Sequence, residues 1–292
     1  MENFVYIGEL LAFLTAAAWA LAVILFKKSG ESVHPIALNL FKSLLAFGLI
    51  IPTMLILGGE IFRAVPARDY LLLFLSGAIG IGIADTLYFM GLNRVGAART
   101  AIIGCVYSPF IIILSVIFLG ESFTPIQMLG TALIISAIFI TNTERVTGEL
   151  TPRDRWAGMG YIVLANLFIA ASIIIMKPII GEAPLLWSTE MRLVLILPLL
   201  KKSRKILLSL RSPGSWKFTL LGSLIGTYIA MVLWVGGMKY TQASTAAVIN
   251  QTSNIFVFAF AALFLGERIT WQRGVAIVLA VGGAILVTLG RI

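Results

Sequence analysis

Phe118-Leu119-Gly120-Glu121 returns as Phe264-Leu265-Gly266-Glu267, at an offset of 267 − 121 = 146 residues. Upstream, Gly91-Leu92-Asn93-Arg94-Val95-Gly96-Ala97 answers to Gly237-Met238-Lys239-Tyr240-Thr241-Gln242-Ala243 at the same offset. Gly80 then meets Gly226, Tyr88 meets Trp234, Ala101 meets Ala247 and Thr124 meets Thr270. A small gap farther upstream brings His34-Pro35 onto Ala183-Pro184 and Lys42 close to Arg192. Scattered Ala and Leu matches arise by chance in apolar sequence. A four-residue block at the same turn between apolar segments is a different matter, and self-similarity at one offset marks a duplicated architecture. One unit covers residues 1–146 and the second 147–292.

Both units consist of apolar segments. The chain has 292 residues, of which 59% are hydrophobic and 12% charged, about half the charged share of a soluble protein. About 20 apolar residues in a helix cross a bilayer. Segments of that size are predicted at 7–27, 36–57, 70–91, 98–119, 124–142, 157–177, 184–200, 217–238, 245–265 and 271–289. Turn residues punctuate the gaps, among them Gly58-Gly59, Thr151-Pro152 and Ser212-Pro213-Gly214. The segments lack the apolar–polar alternation of membrane strands, and a chain without water must close its own backbone hydrogen bonds, so they read as helices. The expected fold is an all-α integral membrane protein of ten transmembrane helices. Five spans per unit force the two units into opposite orientations. That is an inverted repeat around a central cavity, the geometry of alternating-access transporters.

The net charge of +9 would suggest nucleic acid in a soluble chain. Here the basic residues sit between apolar segments, where they set topology and meet anionic lipid, so no nucleic-acid partner is expected. Most lie after segments 1, 3, 5, 7 and 9, with Lys201-Lys202-Ser203-Arg204-Lys205 the densest run. Counted by the positive-inside rule, both termini lie outside. The single Cys105 excludes an internal disulfide and reads as a small core residue. The first segment is preceded by the acidic Glu2 rather than a basic leader, and reads as a retained helix.

The two Phe-Leu-Gly-Glu blocks follow the fourth and ninth segments. Small residues open those segments (Gly96-Ala97-Ala98 and Ala243-Ser244-Thr245-Ala246-Ala247). Trp19 lies in the first segment, and Lys42 and Arg192 lie early in the second and seventh. In these features the chain resembles the EamA family of the drug/metabolite transporter superfamily over nearly its whole length. The ninth segment departs from the pattern, with Asn254-Ile255 where the fourth has Ser108-Pro109. The resemblance implies a cavity lined by spans 1–4 and 6–9, with 5 and 10 peripheral. It also implies cytoplasmic termini, against the charge count, and a cargo of amino acids, other metabolites, drugs or sugar derivatives.

Ionisable groups within spans are costly and usually face the bundle interior. Four stand out: Lys42, Asp85, Glu190 and Arg192. Lys42 and Asp85 fall at similar depth, so they form either a structural bridge or a substrate or proton site. Glu190 and Arg192, two residues apart, point to different faces. Either could snorkel to the interface, and Arg192, set toward the opposite leaflet from Lys42, is the better partner for an anionic substrate group. Asn39, Tyr107, Asn250 and Asn254 are polar candidates for the cavity lining, along with Asn166, Ser108 and Gln251. Trp19, Tyr88, Tyr228 and Trp234 suggest an aromatic wall, while Trp187 near a segment end suggests an interfacial belt. Pro109 marks a bend. Glu121 and Glu267 are expected to cap the following helix or brace the loop, Glu267 with Arg268 beside it. His34 reads as a surface residue.

The sequence shows no metal-ligand cluster, nucleophile elbow or Walker loop, so neither an enzyme nor a cofactor is expected. The reading is a multi-pass transporter or exporter of a small metabolite, amino-acid-like or amphipathic, in the cell membrane, with proton coupling through Asp85 open. The alternatives are a lipid or lipid-linked substrate flippase and an intramembrane enzyme built on Lys42 and Asp85.

Overall fold

A computed structural model describes residues 6–61, 63–120, 124–143, 151–180, 183–194, 207–211, 214–240, 249–250 and 252–289. Every regular element among them is helical. α1 (Ile7–Ser29) carries Glu9 in its first turn and Lys27 and Lys28 in its last, each sign at the end that the helix dipole favours. α2 (Pro35–Ile56) opens on Pro35, whose fixed φ suits the first helical position. Exposed His34 caps it, its Nδ1 accepting from the Ile36 N–H at 3.3 Å.

The third segment is continuous through α3 (Ala67–Gly77), a π-helical stretch (Ala78–Ala84) and α4 (Asp85–Val95). The fourth is divided into α5 (Ala97–Gly104) and α6 (Tyr107–Leu119). Pro109 explains that division. It has no N–H, and its ring crowds the carbonyl four residues back, which belongs to Cys105. The Ser108 N–H takes up that carbonyl instead, at 3.3 Å. The bend read from Pro109 therefore falls at Cys105-Val106.

α7 (Pro125–Thr143), α8 (Pro152–Ile180) and α9 (Leu185–Leu193) follow. α10 (Trp216–Ser223), a second π-helical stretch (Leu224–Ile229) and α11 (Ala230–Tyr240) make the eighth segment, and α12 (Thr252–Leu265) and α13 (Trp271–Leu289) close the chain. Among the described residues six helices are long and apolar enough to cross a bilayer: Ile7–Ser29, Pro35–Ile56, Ala67–Val95, Ala97–Phe118, Arg153–Ile179 and Trp216–Trp234. The apolar stretches of α7, α12 and α13 are shorter. Large apolar side chains such as Leu71, Phe139, Leu263 and Val278 are exposed on the outside, as a lipid-facing surface requires.

Backbone features recur at the spacing of the sequence repeat. The two π-helical stretches begin 224 − 78 = 146 residues apart. Gly120 and Gly266 both adopt left-handed φ, +68° and +65°, where α6 and α12 end. Glycine reaches that conformation without a Cβ clash and stops the helix. Glu267 then bridges the units. Its Oε1 accepts from the Ala97 N–H at 2.7 Å and its Oε2 from the Ala98 N–H at 3.2 Å. Of the two roles expected, a cap on the following helix or a brace of the loop, the cap falls instead on α5, in the other unit, whose first N–H groups have no intrahelical acceptor. Arg273 pairs with Glu267 at 3.9 Å, and Lys27 lies within electrostatic reach of it. Gly96 is needed at this joint: its φ is +85°, and a Cβ there would lie 2.9 Å from the Glu267 carboxylate. Glu121 lies outside the described residues.

One end of the bundle ties α1, α4 and α10 together. Lys27 Nζ donates to the Asn93 carbonyl at 2.8 Å, the hydroxyls of Ser29 and Thr219 share a hydrogen bond at 2.6 Å, and Ser32 bonds Ser215. At the other end the Trp187 indole donates to the Ile61 carbonyl at 3.0 Å and stands edge-on to Tyr70. Trp187 is fully buried. This corrects its assignment to an interfacial belt: the indole found its acceptor inside the protein. α7 packs along α13 with Gly130 against Gly283, where a Cβ on either would sit 2.5 Å from the other's carbonyl oxygen.

Glu267→Ala removes both acceptors from the α5 terminus and should cost roughly 1–2 kcal/mol, the range for a lost helix cap. The check is the thermal midpoint of the detergent-solubilised protein, expected to fall in Glu267→Ala and in Gly96→Ala.

Candidate functional site

The π-helical stretch Ala78–Ala84 reads Ala-Ile-Gly-Ile-Gly-Ile-Ala. A wide π turn displaces carbonyls from the regular helical ladder, and in a membrane each unpaired one costs several kcal/mol. α2 supplies the missing donor. The Asn39 amide donates to the carbonyls of Ile81 and Gly82, at 2.7 and 3.2 Å, and to Thr86 Oγ1 at 3.0 Å. Thr86 in turn donates to the Gly82 carbonyl at 2.8 Å. Asn39 thus locks α2 to the irregular part of the third span.

One turn along α2, Lys42 meets Asp85 at 2.6 Å. The lysine side chain is 7% exposed and the carboxylate 24%. The ammonium also stands 5.9 Å over the Phe89 ring. The sequence left the pairing open, and the structure makes it.

α9 brings the third charge. Gly77 lets the α9 backbone press on the third span, since a Cβ there would strike the Arg192 carbonyl. The Arg192 side chain then reaches back to Gly80, where a Cβ would lie 3.0 Å from Nη2. Nη2 donates to Ser172 Oγ on α8 at 3.3 Å, and Ser172 is itself fixed by its carbonyl, which accepts from Ser76 at 2.8 Å. Asp85 and Tyr107 lie within electrostatic reach of the guanidinium, and Asp85 within reach of Tyr88. Arg192 was expected toward the opposite leaflet from Lys42. Its long side chain and the missing Cβ of Gly80 let its head reach Ser172, within electrostatic reach of Asp85. Two cations and one carboxylate leave this cluster net positive. A guanidinium has five N–H donors, and the buried Arg192 Nε has no acceptor.

Six sequence candidates therefore converge: Asn39, Lys42, Asp85, Tyr88, Tyr107 and Arg192. Others do not. Tyr228 is tied through its hydroxyl to Thr53 at 2.6 Å. Trp19 and Trp234 are half-buried, and among the described residues no ring-to-ring contact joins Trp19, Tyr88, Tyr228 and Trp234 into one wall. Asn254 lies across from Gly104, where a Cβ would be 3.8 Å from its Oδ1, and Asn250 is half-buried. Asn166 donates to Ile162 on its own helix at 2.7 Å. Gln251 lies outside the described residues. Sequence reading missed Ser172 and Thr86, single hydroxyls in apolar surroundings with no pattern around them. The paired glycines of the π-helical stretch were the only signal that something must approach closely there.

The model of the EamA-like transporter family matches residues 6–143 and again residues 156–289. An uncharacterized transporter of Archaeoglobus fulgidus is 27% identical over 272 residues, covering 90% of this chain and 92% of that protein. An uncharacterized transporter of Synechocystis sp. is 23% identical over 233 residues, covering 77% of this chain and 67% of that protein. A solved crystal structure superposes with a TM-score of 0.68 at 16% identity, covering 97% of this chain and 96% of that one, which shows a shared fold.

Removing one member of a buried ion pair strands the other, at about 3–5 kcal/mol, whereas replacing both with apolar groups is often tolerated. Lys42→Ala and Asp85→Ala should each lower the thermal midpoint strongly, and Lys42→Met with Asp85→Leu should recover most of the loss. Differential scanning fluorimetry of the three variants checks this.

Proposed function

The chain belongs to the EamA-like transporter family, and on that premise we propose that it is a secondary transporter moving a small metabolite with an anionic group across the cell membrane by alternating access. Ten spans form two inverted five-helix units around a central cavity. The cross-contacts support this reading: Glu267 after the ninth segment meets Ala97 before the fourth, and Trp187 at the start of the seventh meets Ile61 after the second. Alternating ten-span topology puts both members of each pair on one side. The shared offset of the π-helical stretches and of Gly120 and Gly266 supports the duplication.

The observation that carries the substrate class is Arg192, a buried guanidinium in a net positive cluster whose Nη2 reaches Ser172 and whose Nε has no acceptor among the described residues. Arginine binds carboxylate through two parallel hydrogen bonds. Asp85, between Lys42 and Arg192, offers a carboxylate to a substrate ammonium in place of Lys42. An amino-acid-like zwitterion satisfies both. Tyr88, Tyr107 and Asn39 border the same centre. Binding lets the site trade one arrangement of partners for another, which is what a carrier needs: a cargo held well enough to enter and loosely enough to leave.

The test is uptake of labelled amino acids and small organic acids into proteoliposomes. Arg192→Gln should reduce uptake at least about tenfold, equivalent to losing roughly 1.4 kcal/mol of charge-assisted hydrogen bonding, while the protein still folds. Arg192→Lys should retain part of it. Full uptake in Arg192→Gln would remove the arginine from the binding site.

A further inference from the structure

Glu190 shares α9 with Arg192 but not its surroundings. The residue is 1% exposed, and neither carboxylate oxygen has a hydrogen-bond partner. By contrast Asp85 is answered by Lys42, and Glu267 by two backbone N–H groups. Trp187 and Leu193, one turn either side of Glu190 and on its face, belong to an apolar cluster with Ala46, Ile50 and Leu73. α9 packs against α2, α3 and the first π-helical stretch. On α2 the ionisable residue is Lys42, committed to Asp85. On α3, Tyr70 donates to the Arg63 carbonyl, while Arg68 and Asp69 sit in the first turn, at the outer end of the helix. The π-helical stretch has no ionisable residue. Arg192, two residues on, turns to the opposite side of α9 toward Gly80 and Ser172. Among the described residues no cation pairs with Glu190. An ionised carboxylate there would bear the full desolvation penalty, and the neutral acid avoids most of it.

A groove lies one helical turn from this carboxyl. About 320 Å³ in volume, it opens at the end of the bundle where α2 runs out and α9 begins. Its walls include Met54, Gly59, Glu60, Leu186 and Trp187. Leu186 and Trp187 lie one helical turn outward of Glu190, a rise of roughly 5–6 Å. Trp187 thus lines the groove and stands one turn from the acid on the same helix face.

We infer that Glu190 is a proton-binding site that couples substrate movement to a proton gradient, loaded and emptied through the groove between α2 and α9. The step is an acid dissociation: the Glu190 carboxyl releases H⁺ to water and becomes a carboxylate when α9 shifts to admit water, and takes the proton back when the site closes. Because one short helix carries both residues, a movement of Arg192 toward an anionic cargo also moves Glu190. The coupling rests on the transporter reading above, while the proton site itself does not.

Two measurements on the reconstituted full-length protein test this. Infrared spectroscopy at neutral pH should show the carbonyl band of a protonated carboxylic acid. The band should vanish in Glu190→Gln, which is isosteric with the neutral acid, and stay in Glu31→Gln, which alters an exposed carboxylate. A band unchanged in Glu190→Gln, or absent from the wild type, overturns the proton site. In vesicles given a labelled amino-acid mixture, an imposed pH gradient should drive accumulation by the wild type. Glu190→Gln should fall to the level seen without a gradient, with exchange between equal pools continuing. Gradient-driven accumulation that survives in Glu190→Gln overturns the coupling. A wild type that moves none of the mixture counts against the substrate class alone, and the infrared result then decides the proton site.

Discussion

A charge or a freed carbonyl carried into hydrocarbon must find its partner within the protein, because neither water nor lipid will supply one. The centre of this structure follows from that constraint. The π turn at Ala78–Ala84 displaces backbone carbonyls, so Asn39 is drawn to them. Asn39 sets the depth and rotation of α2, and Lys42 then lands on Asp85. Glycines at positions 77 and 80, at the end of α3 and within the turn, let α9 approach closely enough to deliver Arg192. A regular helix there would leave Asn39 without those acceptors, and a Cβ at either glycine would leave Arg192 without room. The irregularity is therefore the part of the third span that assembles the site.

The two units are also joined by polar contacts at the ends of the bundle rather than by apolar packing alone. Lipid tails are as apolar as leucine, so greasy surfaces give little preference for one helix over another. Glu267 on the α5 terminus, Thr219 on the Ser29 hydroxyl and Trp187 on the Ile61 carbonyl each fix a particular neighbour. Between those ends, close glycine contacts such as Gly130 with Gly283 let dispersion forces act at short range. Such a frame can hold its ends while the middle rearranges, which suits alternating access.

The sequence made the membrane class legible through span-length apolar segments, and the duplication through Phe-Leu-Gly-Glu and its companions. It pointed to Lys42, Asp85 and Arg192 because charges in apolar segments are conspicuous. What it hid was reach and direction. Depth along a helix axis put Arg192 in the opposite leaflet, but a flexible side chain and an absent Cβ at Gly80 carry its head from Gly77, where its backbone packs, to Gly80 and Ser172. Trp187 reads as interfacial from its position, yet a single carbonyl at Ile61 draws it inside. Glu267 reads as a local cap because sequence proximity suggests the next helix, and only the fold brings the N-terminus of α5 beside it. Ser172 gave no signal, since one hydroxyl among apolar residues is ordinary in a span.

The most direct measurement compares uptake of a zwitterionic amino acid with uptake of its uncharged-carboxyl amide, in wild type and in Arg192→Gln. If the cluster around Arg192 receives the cargo's anionic group, the wild type prefers the acid and the preference disappears in the variant. Equal uptake of acid and amide by the wild type, or a preference for the acid that persists without the guanidinium, would contradict it.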